Sequence, residues 1–150
     1  MPVPARPYPT MNPAAIASHP WAYPALEIVH LLGIAMLLGN LFLVELRVLG
    51  LGQTIPLQPL ASLCLRLVAT GALLCVVSGV LMFASQAAEL LANRIFTLKM
   101  LLLAVAASNA VWFHLRGSLT RLDVTARLSA LASMLIWIAV VSLGRWIGYA

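Results

Sequence analysis

The sequence predicts an all-α integral membrane protein, built as a four-transmembrane-helix up-down bundle. Hydrophobic residues make up 63% of the 150-residue chain and charged residues only 9%, a composition far from that of a soluble domain. Four apolar stretches are each long enough to cross a bilayer, which takes about 20 residues. Because the segments between these stretches are short, consecutive helices are expected to be antiparallel neighbours.

The chain divides into an arm and a membrane domain. Residues 1–24 contain seven of the nine prolines, and proline interrupts a helix because it lacks the backbone N–H and clashes with the preceding turn. This segment is therefore predicted to be a proline-rich arm outside the membrane. Residues 25–150 form the predicted transmembrane domain, with spans at 26–46, 62–84, 95–115 and 127–147.

The distribution of arginine predicts how the bundle is oriented. We call the membrane face nearest the N-terminus side A and the opposite face side B. The side-B arginines are Arg47, Arg66, Arg116, Arg121 and Arg127. Because cytoplasmic loops carry an excess of Lys and Arg, the sequence predicts a multi-pass protein of the bacterial inner membrane with both termini in the periplasm. Its net charge of +5 is then expected to meet lipid headgroups rather than nucleic acid.

Small residues recur every four positions on three of the spans. Such seams let helix backbones approach closely in a membrane, where no hydrophobic effect drives helices together. The seams are Gly71, Cys75 and Gly79 on the second span, Ala35 and Gly39 on the first, and Ser129 and Ser133 on the fourth. We expect them to pack the bundle internally.

Four polar residues are expected to cluster near side A. Glu27 and His30 lie three positions apart on the first span, and Lys99 and Arg145 are placed at similar depth on the third and fourth. Charged groups at the membrane edge commonly do no more than meet headgroups, but a histidine inside a span indicates function by default. His30 is therefore a candidate haem or metal ligand, proton carrier or quinone partner.

Two asparagines form a second polar level. Asn40 and Asn109 each lie about 20 Å from the side-A end of their spans, at the rise of 1.5 Å per residue. If the first and third helices face each other, these side chains are expected to form an interhelical clasp.

Several segments resemble a known family. The stretches "HLLGIAMLLGN", "SGVLMFASQAAELLANRIFTLKMLLL", "NAVWFH" and "GRWIGY" resemble those of small four-helix bacterial membrane proteins classed as a domain of unknown function. The resemblance covers about residues 26 to 149 and implies the same four-helix fold. More distantly, "HLLG" resembles the opening of copper-resistance protein D-like membrane proteins and of haem-b membrane cytochromes, which implies a haem at His30.

The histidines do not provide the paired ligands of a bundle cytochrome. His30 lies near side A, whereas His114 lies roughly 28 Å along the third span from that side, so the two cannot bind one iron. His19 is on the correct side but belongs to the arm. A haem would therefore need the arm, a second protomer or a partner protein.

The sequence leaves three functions open and contains no motif of a self-contained enzyme. The leading hypothesis is an auxiliary subunit in membrane redox chemistry, which binds haem b or a quinone at Glu27, His30, Lys99 and Arg145 and works with a larger redox complex or a second protomer. The second is a cofactor-free structural or assembly subunit that docks a membrane complex. The third, a small metal or solute transporter, is disfavoured by the small number of polar residues at mid-membrane.

Overall fold

The computed structural model describes residues 21–149, which form four long helices and three short ones. The long helices are α1 (Ala22–Leu49), α2 (Leu57–Ser85), α4 (Arg94–Leu115) and α6 (Val124–Trp146). The short ones are α3 (Ala87–Ala92), α5 (Ser118–Arg121) and a final 3-10 turn (Ile147–Tyr149). Each of these four helices has the length and the apolar composition needed to cross a membrane, so the predicted fold class is confirmed.

The helices begin earlier than predicted, α2 by five residues and α1 by four. Helix α1 starts at Ala22 and so includes Pro24, which was predicted to belong to the arm. Proline is tolerated in the first turn of a helix, because the N–H it lacks would have no partner there. Residues 1–20 lie outside the described part of the chain.

Local signals end and start the helices at their junctions. Gly50 follows α1 with φ of 106°, a left-handed conformation that glycine adopts without a steric penalty. Asn93 caps α4 by accepting hydrogen bonds from the backbone N–H groups of Ile95 and Phe96. Asp123 caps α6 by accepting from Ala126 N–H. These residues fix the sharp reversals that keep neighbouring helices antiparallel.

The bundle consists of two helical hairpins joined along one seam. Helix α1 packs extensively against α2, and α4 packs against α6. The hairpins meet where α1 contacts α6, whereas the backbones of α2 and α4 scarcely approach each other. Stacked rings of Phe83 and Phe96, with centroids 5.7 Å apart, bridge α2 and α4 near side A. One side of the bundle is therefore more open than the others.

Glycine brings α1 and α2 into direct backbone contact. A Cβ at Gly71 would lie 2.6 Å from Leu37 N and 2.7 Å from Gly33 O, far inside contact distance. The predicted seam on α2 is thus used in packing, but its partner on α1 is Gly33 rather than the predicted Ala35 and Gly39. A Cβ at Gly39 would meet nothing within 4 Å.

The best-buried apolar cluster lies towards side B, where the helices converge. It draws on α1, α2 and α6, and part of α5 covers it. Its buried members are Val44, Val48, Leu57, Ala61, Cys64, Ala126 and Ala130, and Leu119 and Leu122 pack against it. Towards side A the packing is looser, and the polar residues of interest lie there.

Candidate functional site: a histidine and a lysine near side A

His30 is anchored by a hydrogen bond to the neighbouring helix. Its Nδ1 lies 2.9 Å from the hydroxyl of Ser78, which is only 1% exposed. That hydroxyl has a single proton, which it donates to the carbonyl of Leu74 at 2.6 Å. When that proton is directed to Leu74, Ser78 accepts from Nδ1 of His30, and Nε2 of the neutral ring keeps its lone pair.

The second helix also shapes the space around the imidazole. A Cβ at Gly79 would lie 3.4 Å from Cε1 of His30, so the absence of a side chain there leaves room for the ring. The thiol of Cys75 donates to the carbonyl of His30 across 3.7 Å. Two residues of the α2 seam thus lie against His30, Cys75 beside its backbone and Gly79 beside its ring.

Lys99 approaches the same region from the other hairpin. Its Nζ lies close to Gly144 on α6, where a Cβ would be 3.5 Å away, and it lies in the same region as His30 and Cys75. Between residues 21 and 149, no carboxylate forms an ion pair with Lys99, since the ion pair found there joins Arg116 to Asp123. All four long helices thus contribute a residue around one half-buried histidine and one lysine.

Two predicted members of the side-A cluster are not part of it. Glu27 is exposed, and no hydrogen bond or ion pair within the described residues links it to the other three. Arg145 is also exposed; it donates to the Tyr149 hydroxyl at 3.0 Å and lies over that ring. Since Gly144 faces Lys99, the next residue along the helix points about 100° away from it, which explains why Arg145 turns outward.

The predicted asparagine clasp is wrong. The amide of Asn40 donates to the Met36 carbonyl of its own helix at 2.7 Å. Asn109 instead exchanges two hydrogen bonds with Ser129 on α6, donating to its carbonyl at 3.1 Å and accepting from its hydroxyl at 2.7 Å. Equal depth does not make two residues neighbours, because the first and third helices of an up-down bundle lie on a diagonal.

The burial of two polar residues was not predicted from the sequence. Ser78, which orients His30, resembles any serine that bonds its own helix. Glu45 is only 6% exposed and lies beside the Ser133 hydroxyl, although it is near the end of α1. A signal for Glu45 was present, because Leu37 and Val48 are eight positions before it and three after it, on the same face of α1.

The family comparison covers almost the whole described chain. Residues 22–150 match the model of a family of unknown function, DUF6644. The chain belongs to this family. No curated protein and no solved structure matches it, and the more distant resemblance to copper-resistance protein D and to haem-b cytochromes finds no support in these comparisons.

In this DUF6644 protein, the described residues do not form a bis-histidine iron site. His114 is the second-last residue of α4, where its Nδ1 lies 2.9 Å from the Ala110 carbonyl, at the opposite end from His30. Within residues 21–149, no three His, Cys, Asp or Glu side chains group to hold a metal. His19 lies outside the described residues. At this level the described chain offers one imidazole nitrogen and one ammonium group.

Proposed function

We propose that this DUF6644 protein is an auxiliary subunit in membrane redox chemistry that binds a quinone headgroup between His30 and Lys99. The observation that carries the proposal is the hydrogen bond from His30 Nδ1 to Ser78 Oγ, at 2.9 Å. It fixes the orientation of the ring, and it leaves Nε2 available to a ligand.

The side chains of His30 and Lys99 can bind both the oxidised and the reduced form of a quinone. An oxidised quinone offers carbonyl oxygens, to which the Lys99 ammonium can donate. A reduced quinone offers hydroxyl groups, which can donate to Nε2 of His30. Hydrogen bonds that involve a charged group are roughly twice as strong as neutral ones, and here they form in a partly buried site where water competes weakly.

The shape of the bundle favours a lipid-soluble ligand. The backbones of α2 and α4 scarcely approach each other, so the side of the bundle between them faces the acyl chains of the bilayer. The stacked rings of Phe83 and Phe96 bridge the two helices closer to side A, so a headgroup would enter on the mid-membrane side of that stack to reach His30, while its isoprenoid tail stays in lipid. A quinone needs one acceptor and one donor, whereas a bis-histidine haem needs a second imidazole at this level.

A haem b bound by His30 would therefore require a ligand from outside the described residues, such as a second protomer or a partner protein. Nδ1 hydrogen-bonded to Ser78 and Nε2 left available is also the arrangement of a metal-binding histidine. Haem and a quinone would therefore use the same histidine, and an experiment is needed to distinguish the two ligands.

One observation favours the rival function, a cofactor-free docking subunit. Only 6% of the most apolar stretch of α4 is buried, compared with 22% for the last span. A shallow depression of about 380 Å³ lies on this face, lined by Ala107, Ser108, Val111, Trp112 and Leu115. A larger membrane complex could cover it.

We also propose that the chain lies in the bacterial inner membrane with both termini in the periplasm. Arg116, Arg121 and Arg127 all lie at or next to the α4–α6 connection on side B. Such an excess of arginine is typical of a cytoplasmic connection. A periplasmic reporter fused to the C-terminus is expected to be active, and activity of a cytoplasmic reporter at that position would reverse the orientation.

Measurement of the quinone and haem content of the purified protein tests the proposed function. Protein purified in mild detergent is extracted with organic solvent for quinone, and its visible absorption spectrum is recorded. We expect quinone in stoichiometric amount in wild type, little in His30→Ala, and no Soret band. A Soret band that disappears in His30→Ala would identify haem as the cofactor. A preparation with neither, after purification from a quinone-containing membrane, would favour the docking function.

A further inference from the structure

A second polar site lies at Glu45, in the seam between α1 and α6 and far from His30 and Lys99. The side chain is only 6% exposed, and its Oε2 atom is buried without a hydrogen-bond partner. Glu45 is 15 residues beyond His30 on α1, about 22 Å at helical rise, so the two residues do not share a site.

A hydroxyl group from α6 lies near the carboxyl group of Glu45. Ser133 on α6 lies beside the carboxyl group and is itself only 8% exposed. Ala130, almost one turn earlier on α6, belongs to the buried cluster towards side B together with Val44 and Val48. This cluster separates the carboxyl group from the side-B surface.

Within residues 21–149, no cation forms an ion pair with the carboxyl group. Arg47, from the same helix, donates to the carbonyls of Ile55 and Gln53. Arg116 forms its ion pair with Asp123, at 2.7 Å. The remaining basic groups near side B are exposed, namely Arg66, His114, Arg121 and Arg127. The other titratable group in the adjoining cluster is the buried thiol of Cys64.

A negative charge at this position would have neither water nor a counter-ion, and burying such a charge is costly enough that groups neutralise instead. A proton on Oε2 removes the charge, while Oε1 can still accept from the Ser133 hydroxyl. We propose that Glu45 is a proton-binding site within the membrane, where the carboxyl group holds one proton in the α1–α6 seam.

A metal cation does not suit the same position. Calcium takes six to eight oxygen ligands, whereas Ser133 supplies one hydroxyl near Glu45. The next polar pair, Asn109 and Ser129, is satisfied by its own two hydrogen bonds, and the surrounding backbone carbonyls belong to continuous helices. A proton needs none of these ligands.

Infrared difference spectroscopy tests this proposal. Wild type and Glu45→Gln are reconstituted in lipid nanodiscs at neutral pH, and Glu27→Gln serves as the matched control at an exposed acid on the same helix. We expect the wild-type minus Glu45→Gln spectrum to contain one carboxylic-acid C=O band that shifts in D₂O. The Glu27→Gln difference is expected to contain carboxylate bands instead.

Two results would overturn the proposal. Carboxylate bands in place of the carboxylic-acid band would show that Glu45 is ionised. Loss of the acid band when sodium chloride replaces choline chloride would make the site a cation site. If Glu45→Gln fails to assemble, the band is assigned instead in wild-type protein by selective ¹³C labelling of glutamate carboxyl groups, with Glu27→Gln as the reference.

Discussion

The imidazole of His30 and the hydroxyl of Ser78 form a 2.9 Å hydrogen bond between α1 and α2. The Ser78 hydroxyl also lies 2.6 Å from the carbonyl of Leu74, and with its proton directed there it accepts from Nδ1 of His30. The packing of the first hairpin thereby determines which face of His30 is available to a ligand.

Ser78→Ala should weaken quinone binding without emptying the site, since His30 remains but loses its orientation. We expect the dissociation constant of a short-chain quinone to rise roughly 2- to 10-fold, which corresponds to the net value of about one hydrogen bond. Ser85→Ala is the matched control, because Ser85 donates only to the carbonyl of Met82 on its own helix. Equal effects of the two variants would contradict the positioning role.

Gly71→Ala should destabilise the bundle, because the added methyl group would meet the backbone of α1 at Leu37 and Gly33. Overpacking of this kind costs typically 1 to 3 kcal/mol, and we expect the loss to appear in thermal unfolding in detergent. Gly39→Ala places its methyl group where nothing lies within 4 Å, so it should leave the unfolding temperature unchanged or slightly higher. A destabilised Gly39→Ala paired with an unaffected Gly71→Ala would contradict the described α1–α2 contact.

Asn109→Leu should lower stability by about 0.6 to 2 kcal/mol, the range for polar contacts between transmembrane helices. Asn40→Leu should cost less, because its amide bonds a carbonyl of its own helix. A double-mutant cycle separates the pairs: Asn109 and Ser129 are expected to couple, and Asn40 and Asn109 to be additive. Coupling between the two asparagines would contradict the partners described here and would support a direct contact between them.

The connection between α4 and α6 should make stability depend on pH in the acid range. The hydrogen bonds from the Arg116 side chain and then from Ala126 N–H hold the pKa of Asp123 below its ordinary value of 3.8. A carboxyl whose pKa is lower in the folded state stabilises the fold fully above its unfolded pKa, and this contribution is lost as pH falls through the folded pKa. We expect the unfolding temperature of wild type to fall more steeply than that of Asp123→Asn below about pH 4.

That comparison isolates the ion pair, because asparagine is also a good N-cap residue and so keeps the helix start intact. Parallel pH profiles of wild type and Asp123→Asn would show that the Arg116–Asp123 pair adds nothing to stability.

The fold could be predicted because hydrophobic length alone decides which segments cross a membrane. The ends of the helices were harder to place, since Pro24 looks like a helix breaker in sequence yet fits the first turn of α1. Depth along the spans predicted that His30 and Lys99 share one level, and their binding of a ligand stays a prediction. Arg145 could not be excluded by depth, because only the contact of Gly144 with Lys99 shows that the next residue faces outward.

The roles of Ser78 and Glu45 depend on which helices are neighbours. Serine is common in transmembrane helices and usually bonds its own backbone, so only the close approach of α1 to α2 shows that Ser78 orients His30. Glu45 lies near the end of α1 and resembles a headgroup contact until α6 and the side-B cluster are seen to cover it.

The most direct test of the proposed function is a titration of the protein in nanodiscs with a short-chain quinone, comparing wild type, His30→Ala and His114→Ala. His114 is the matched control, because it is an exposed histidine at the opposite end of the bundle. We expect wild type and His114→Ala to bind with equal affinity and His30→Ala to bind at least tenfold more weakly, a loss of about 1.4 kcal/mol. Equal binding by all three proteins, or loss of binding in His114→Ala alone, would contradict a quinone site at His30.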